Sequence, residues 1–330
     1  ARRTGAKADR RCRSAGAQAR LARVVGEHES HPRACDCGGG GERLVESACL
    51  AVKTNVVKYP SSSHYETVAR AFQVLDIATP LNVALPPSSG LETVRDTIGE
   101  AMAFDPDQEF CLIRERRKIY GYFAFGDEAL FEEPLEGVAK DHLTHITPNQ
   151  IVPGSTYLLD AIPLFQQHFF FFVLTRNDIT HVVSFLHLDK LPMRLCLFSL
   201  LAALESAMTD LLSESSERYL RTLPIKQLRK ATNLCQRKYG KAWQTPQRIL
   251  LCTELSDKIT MLVSSPHLFN GLPFKSKSEG LGFFEQMRRL RNSVAHGASV
   301  LDILRSPGEF DSFIRQLRRV TERTSNLRSV

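Results

Sequence analysis

The run Arg291-Asn292-Ser293-Val294-Ala295-His296-Gly297 holds the residues whose types and spacing could do chemistry. It closes a helix expected over 278–296, with Arg288 and Arg289 just ahead of it. Asn292 and His296 are four apart and share a helix face, where an amide can fix the orientation and tautomer of an imidazole. Arg291 and His296 lie about 140° apart on an ideal helix, so the reading requires a frayed or bent end at Gly297 for both to converge. An imidazole titrating near neutrality beside a permanent cation suits metal-free RNA cleavage. The imidazole takes or returns a proton at the 2′-hydroxyl or the leaving oxygen, and the guanidinium neutralises the crowded phosphorane. The same residues fit two plainer roles: a helix end where positive charge favours the dipole, or a surface that binds RNA or protein without cutting.

No other chemistry competes, because the chain has no Walker loop, HExxH, GxSxG or Cys-x-x-Cys. His28, His31, Cys35 and Cys37 could surround zinc, but Cys-x-Cys is tighter than usual zinc-loop spacing and no apolar residues support a knuckle. His168, His181 and His187 read as hydrogen-bonded histidines at strand ends. No metal is expected.

The elements that position these residues follow from composition. The 330 residues are 43% hydrophobic and 24% charged, which excludes collagen, disorder throughout and a small disulfide scaffold. The most apolar run, 195–204, is half of what a membrane-crossing helix needs, so no membrane is expected. Eight scattered cysteines and no signal-like apolar opening point to a reducing, cytoplasmic setting. The net charge of +7 divides as +4 over 1–50, −7 over 51–190 and +10 over 191–330, so an acidic middle joins a basic C-terminal third suited to a polyanion. Residues 1–55, rich in Arg, Ala and Gly, are expected to be disordered. With no Met before Met102, this segment is also expected to include non-native upstream sequence.

Between 81 and 190 a pattern repeats. A helix expected over 91–103 precedes strands at 110–113 and 119–125; a helix over 156–167 precedes strands at 169–174 and 179–185. Phe110 and Phe170, Ile113 and Val173, Gly121 and His181, and Asp127 and His187 are each 60 apart, which marks an internal duplication. The tandem helix-strand-turn-strand unit, with Ile151-Val152-Pro153-Gly154-Ser155-Thr156 as entry strand and helix cap, resembles the cystathionine-β-synthase (CBS) domain pair over about 78–200. The resemblance implies two βαββα copies, 78–142 and 143–192, packed sheet on sheet. It also implies an adenine nucleotide (AMP, ADP or ATP) bound in the cleft as a regulator. Carried over residue by residue, the nucleotide ligands would be Asp127 in the first copy, and Ser184 with Asp189 in the second. Ala124 stands where the first copy should have a hydroxyl, and His187 where the second should have the aspartate. A dimerising scaffold that binds no nucleotide is therefore the other reading of the pair.

After Pro192 strand signals stop, and helices are expected over 193–219, 225–239, 246–263, 278–296 and 309–324, a bundle of four to five. The Arg-Asn-x-x-x-His run on its penultimate helix resembles the HEPN (higher eukaryotes and prokaryotes nucleotide-binding) fold over 193–326. That resemblance implies a metal-independent endoribonuclease in which two subunits share one cleft, with Arg291, Asn292 and His296 as the catalytic set and an assisting acidic or hydroxyl residue on an earlier helix, for which Glu254 and Asp257 are the candidates. The expectation is thus an α+β pair followed by an all-α bundle, acting on RNA as a homodimer under nucleotide control. The alternative is a non-enzymatic dimeric adaptor that holds RNA or a protein partner.

Overall fold

Alternation of apolar side chains along Phe110-Cys111-Leu112-Ile113 and Phe170-Phe171-Phe172-Val173 makes each strand two-faced, and the whole N-terminal half is built on those faces. A computed structural model describes residues 62–131 and 136–327. The N-terminal segment with His28, His31, Cys35 and Cys37 lies outside the described residues.

In chain order, α1 (Ser62–Ala69) leads to β1 (Thr79–Pro80), β2 (Ala84–Leu85), α2 (Leu91–Phe104), β3 (Phe110–Glu115), β4 (Lys118–Ala124) and α3 (Ala139–His142). The second copy holds β5 (Ile151–Pro153), α4 (Leu158–Ala161), β6 (Phe170–Thr175) and β7 (Asp178–Ser184). One sheet has the order β2-β3-β4 and the other β1-β7-β6-β5, so β1, from the start of the first copy, closes the edge of the second.

The duplication extends to the backbone. Phe110 pairs with Ala124 as Phe170 pairs with Ser184, and both hairpins slip register after the same residue, Ile113 in one and Val173 in the other. Both hairpins also turn through an arginine at positive φ, Arg116 at 53° and Arg176 at 57°. Phe110, Leu112 and Tyr122 of one sheet meet Phe172, Ile179 and Val182 of the other. The rings of Phe110 and Phe170, equivalent residues, sit 4.7 Å apart. This contact between equivalent positions fits an approximate twofold relation between the two copies.

The outer faces differ. Cys111, Ile113 and Phe123 are covered by Val94 and Ile98 of the copy's own α2. In the second copy the helix expected over 156–167 is cut to four residues and continues as a 3-10 turn from Ile162 to Gln166. Pro163 is the cause, since it offers no N–H and fixes φ. The rest of that face, Phe171, Val173 and Val183, is buried in the same core as the C-terminal helices.

Those helices are α5 (Leu191–Ser213), α6 (Ser216–Leu220), α7 (Ile225–Tyr239), α8 (Pro246–Leu250), α9 (Leu255–Val263), α10 (Pro266–Phe269), α11 (Lys277–His296) and α12 (Pro307–Leu327). The helix expected over 193–219 stops at Ser213, whose hydroxyl turns back onto the Asp210 carbonyl at 2.7 Å. The one expected over 246–263 is two, because Thr253 caps the Leu250 carbonyl and Asp257 accepts from the Glu254 N–H to start a new helix. α5 is the one described helix long and apolar enough to cross a membrane, which corrects the shorter run read from sequence, and most of it is buried among its neighbours. α12 returns to the second copy, where Phe310 packs edge-on against Phe185 and Gln166 donates to Asp311 at 2.8 Å. The expected change of domain at 193 is a change of architecture within one unbroken core.

Candidate functional site

α11 begins where Ser276 accepts the Glu279 N–H at 3.1 Å and buries Phe283, Phe284, Met287 and Leu290. Those four fall on one face, which leaves Arg288, Arg289 and Arg291 to solvent. The next buried residue in the motif is Ser293, at 7% exposure. Its hydroxyl lies 3.0 and 2.9 Å from the carbonyl oxygens of Ala298 and Ser299 and so holds the chain reversal after the helix. Gly297 takes φ 72° and donates its N–H to the Ser293 carbonyl, a left-handed cap that glycine adopts without Cβ strain. Ser293 is the residue of the motif that sequence reasoning passed over, although its place one turn before Gly297 was visible.

His296 and Arg291 are exposed and Asn292 is half-buried. The helix stays regular through His296, so the frayed end required above is not formed, and Arg291 and His296 project about 140° apart. Asn292 and His296 do share a face. No side-chain hydrogen bond or ion pair joins the three to one another or to any other described residue. Within one chain, then, the guanidinium and imidazole do not converge. Glu254 is engaged with Lys230 at 2.6 Å and Asp257 is buried as the cap of α9, and neither makes a described contact with the motif.

One further contact locates this helix end. Asp189 Oδ1 accepts the Val300 N–H at 2.8 Å, while its Oδ2 takes Arg194 at 2.9 Å. Both carboxylate oxygens are occupied in tying the loop after α11 to the start of α5. Asp189 is thus committed to a structural tie, with a backbone N–H on one oxygen and a guanidinium on the other. Beside that tie, Leu191, Leu195 and Phe198 form an exposed apolar row at helical spacing along α5.

The other nucleotide candidates sit at the ends of β4 and β7. Ser184 is buried, and its N–H donates to His187 Nδ1 at 3.2 Å, just as the Ala124 N–H donates to Asp127 Oδ2 at 2.8 Å. The two copies thus use different side chains for the same turn cap. His187 is 7% exposed, with its Nε2 3.4 Å from Thr79 Oγ1 and 3.7 Å from Asp107. Lys190 closes the group at 2.8 Å from Asp107 and 2.9 Å from Thr79. Burial, then the Lys190 charge, pushes the His187 pKa down to about 4, against the opposing pull of Asp107. At neutral pH the ring is uncharged, and its Nδ1 acceptor role puts the proton on Nε2. Asp107 itself is held below the usual carboxylate range: burial would raise it, but the Lys190 hydrogen bond and charge, with His187, more than offset that.

The corner of the first copy is more open. Asp127 is half-buried, one oxygen is free of partners among the described residues, and the exposed rings of Phe125 and Phe131 meet edge-on 5.8 Å apart beside it. Ser184 and Asp127 are not brought together by any described contact. His168 packs on Phe171 and His181 bonds Thr180, and among the described residues no group of three His, Cys, Asp or Glu is placed to hold a metal.

Comparison with known proteins returns no matching family model, no matching curated protein and no matching solved structure.

Proposed function

We propose that this chain is a dimeric RNA-directed effector, with a CBS-like sheet pair carrying a HEPN-like bundle whose Arg291, Asn292 and His296 act across a seam between two copies. The observation that carries this reading is the end of α11, where an arginine and a histidine are presented to solvent without partners, around a buried serine that fixes the loop. Because the two side chains diverge on one helix, a shared cleft needs the arginine of one copy opposite the histidine of its twofold mate. The apolar row Leu191, Leu195 and Phe198 lies beside the same loop and offers the seam a water-excluding surface. In that cleft the imidazole moves the proton of the attacking 2′-hydroxyl, Asn292 orients the ring, and Arg291 neutralises the developing phosphorane charge. The atoms balance as a transesterification: the 2′-oxygen bonds phosphorus and the 5′-oxygen leaves with a proton.

Incubation with mixed RNA tests this. Cleavage is expected from the wild-type chain and is lost in His296→Ala and Arg291→Ala, with partial recovery when the two variants are mixed, since one hybrid cleft is intact. Intact RNA after incubation with a wild-type dimer ends the nuclease reading.

For the sheet pair, the occupied oxygens of Asp189 and the filled corner at His187 favour a scaffold over a sensor in the second copy. If adenine nucleotide binds, it binds at Asp127 with Phe125 and Phe131. A thermal-shift series with AMP, ADP and ATP on wild-type and Asp127→Ala decides it, because ligand at a hundred times its Kd adds about 2.7 kcal/mol.

A further inference from the structure

Between Glu217 and Glu254 the chain has nine Lys or Arg and not one Asp or Glu. α7 lies in this stretch and carries Lys226, Arg229, Lys230, Arg237 and Lys238. Its buried residues are Ala231 and Cys235, which fixes the face turned to the protein. On an ideal helix Lys226, Arg229, Asn233 and Arg237 fall within an arc of about 80° directly opposite that face. All four are exposed, and Lys226, Arg229 and Arg237 have no acidic partner among the described residues. They line a shallow groove of about 470 Å³ together with Lys230 and Ile225. Lys230 is the member of the face that is matched, by Glu254 from α9 at 2.6 Å.

From this juxtaposition we infer that the outer face of α7 is a docking track for a single-stranded RNA backbone, separate from the α11 motif. The inference rests on the RNA-directed reading above and extends it to how the strand is held. From Lys226 to Arg237 the track is about 16 Å long, at 1.5 Å per residue, enough for several successive phosphates. Asn233, in the middle, supplies a neutral donor and acceptor. At the C-terminal end Tyr239 has Lys238 5.4 Å and Arg248 5.6 Å from its ring, and Trp243, the one tryptophan of the chain, follows. Aromatic rings with basic neighbours give unpaired bases a stacking surface, which selects single strands over duplex.

The same face argues against two other anionic partners. An amphipathic helix that enters a lipid surface carries apolar residues at the centre of the contact, with basic ones flanking it. Here Ile225 and Leu234, the exposed apolar residues of α7, lie at the two margins, each about 90° from the middle of the basic arc. A protein interface would have an apolar core, and the arc between those margins has none.

The test measures binding of a short labelled single strand by the full-length chain with His296→Ala, so that the strand stays intact, over a range of salt. Adding Lys226→Glu, Arg229→Glu and Arg237→Glu is expected to weaken binding by roughly tenfold or more and to flatten the log–log salt slope by about 2, three phosphate contacts at about 0.7 each. The matching triple glutamine variant is expected to give the same slope change with a smaller affinity loss, and it separates lost contacts from charge repulsion or misfolding. Unchanged affinity and slope in triple variants that keep the parent melting temperature overturn the track. So does loss of binding confined to phosphatidylserine vesicles or polyglutamate with RNA unaffected. A wild-type chain that binds through α7 but leaves RNA intact removes the cleavage reading and leaves the track standing.

Discussion

His187 shows what a single substitution at a repeated position does. Its counterpart, Asp127, caps the same turn while half-buried; His187 caps it from inside, with Thr79, Asp107 and Lys190 packed around the ring. Because its folded pKa of about 4 lies below the ordinary 6.5, the unfolded chain binds the extra proton between those values. The stabilising contribution is therefore complete above about 6.5 and disappears as pH falls towards 4, amounting to about 3 kcal/mol across the window. Urea unfolding from pH 7 to pH 4 should show this loss, and His187→Asn, which keeps an acceptor for the Ser184 N–H, should reduce the slope. Ser293 is the second residue with a checkable role. Ser293→Ala leaves the carbonyls of Ala298 and Ser299 without that donor, at a cost of about 1–2 kcal/mol. The expected result is a lower urea midpoint at unchanged m-value, whatever becomes of activity.

At the level of elements, the strands and α7 were legible because their periods are undisturbed. The expected bounds 225–239 are those observed, and the 60-residue offset extends to register slips and turn arginines that no spacing argument reached. What failed did so where one residue outweighed the period. Pro163 cut a helix whose apolar spacing was good, and the Leu250-Leu251-Cys252 run hid the break that Thr253 and Asp257 make. At the site, the residue types of the α11 motif were readable, but its geometry was not, since fraying and a tight left-handed cap both end in Gly297. The occupied state of Asp189 was equally unreadable, because its partner Val300 is 111 residues away in sequence. The return of α12 to the second copy has a measurable consequence. Phe310 is fully buried against Phe185, which follows β7 directly, so Phe310→Ala should cost about 3–5 kcal/mol and loosen both ends of the contact. Amide exchange of β7 and of α12 should rise together in that variant; a change confined to α12 would contradict the shared core.

For the molecule as a whole, the cores are unequal. One large cluster joins the outer face of β6 and β7 to α5, α11 and α12, whereas the outer face of β3 and β4 has a small cluster of its own under α2. Native-state hydrogen exchange should therefore find α2 in a lower-energy opening, while β6, α5 and α12 share the highest protection. Equal protection of α2 and α5 would count against this division. The same architecture governs how the chain is made. α5, which alone among the described helices meets the length and composition of a membrane anchor, leaves the ribosome about a hundred residues before α12 does, roughly 5–20 s of translation. Throughout that interval α1 and the outer face of β6 and β7, made earlier, shelter part of α5, while the side that α12 covers stays bare. The growing chain is therefore prone to aggregate through that side until the closing helix arrives.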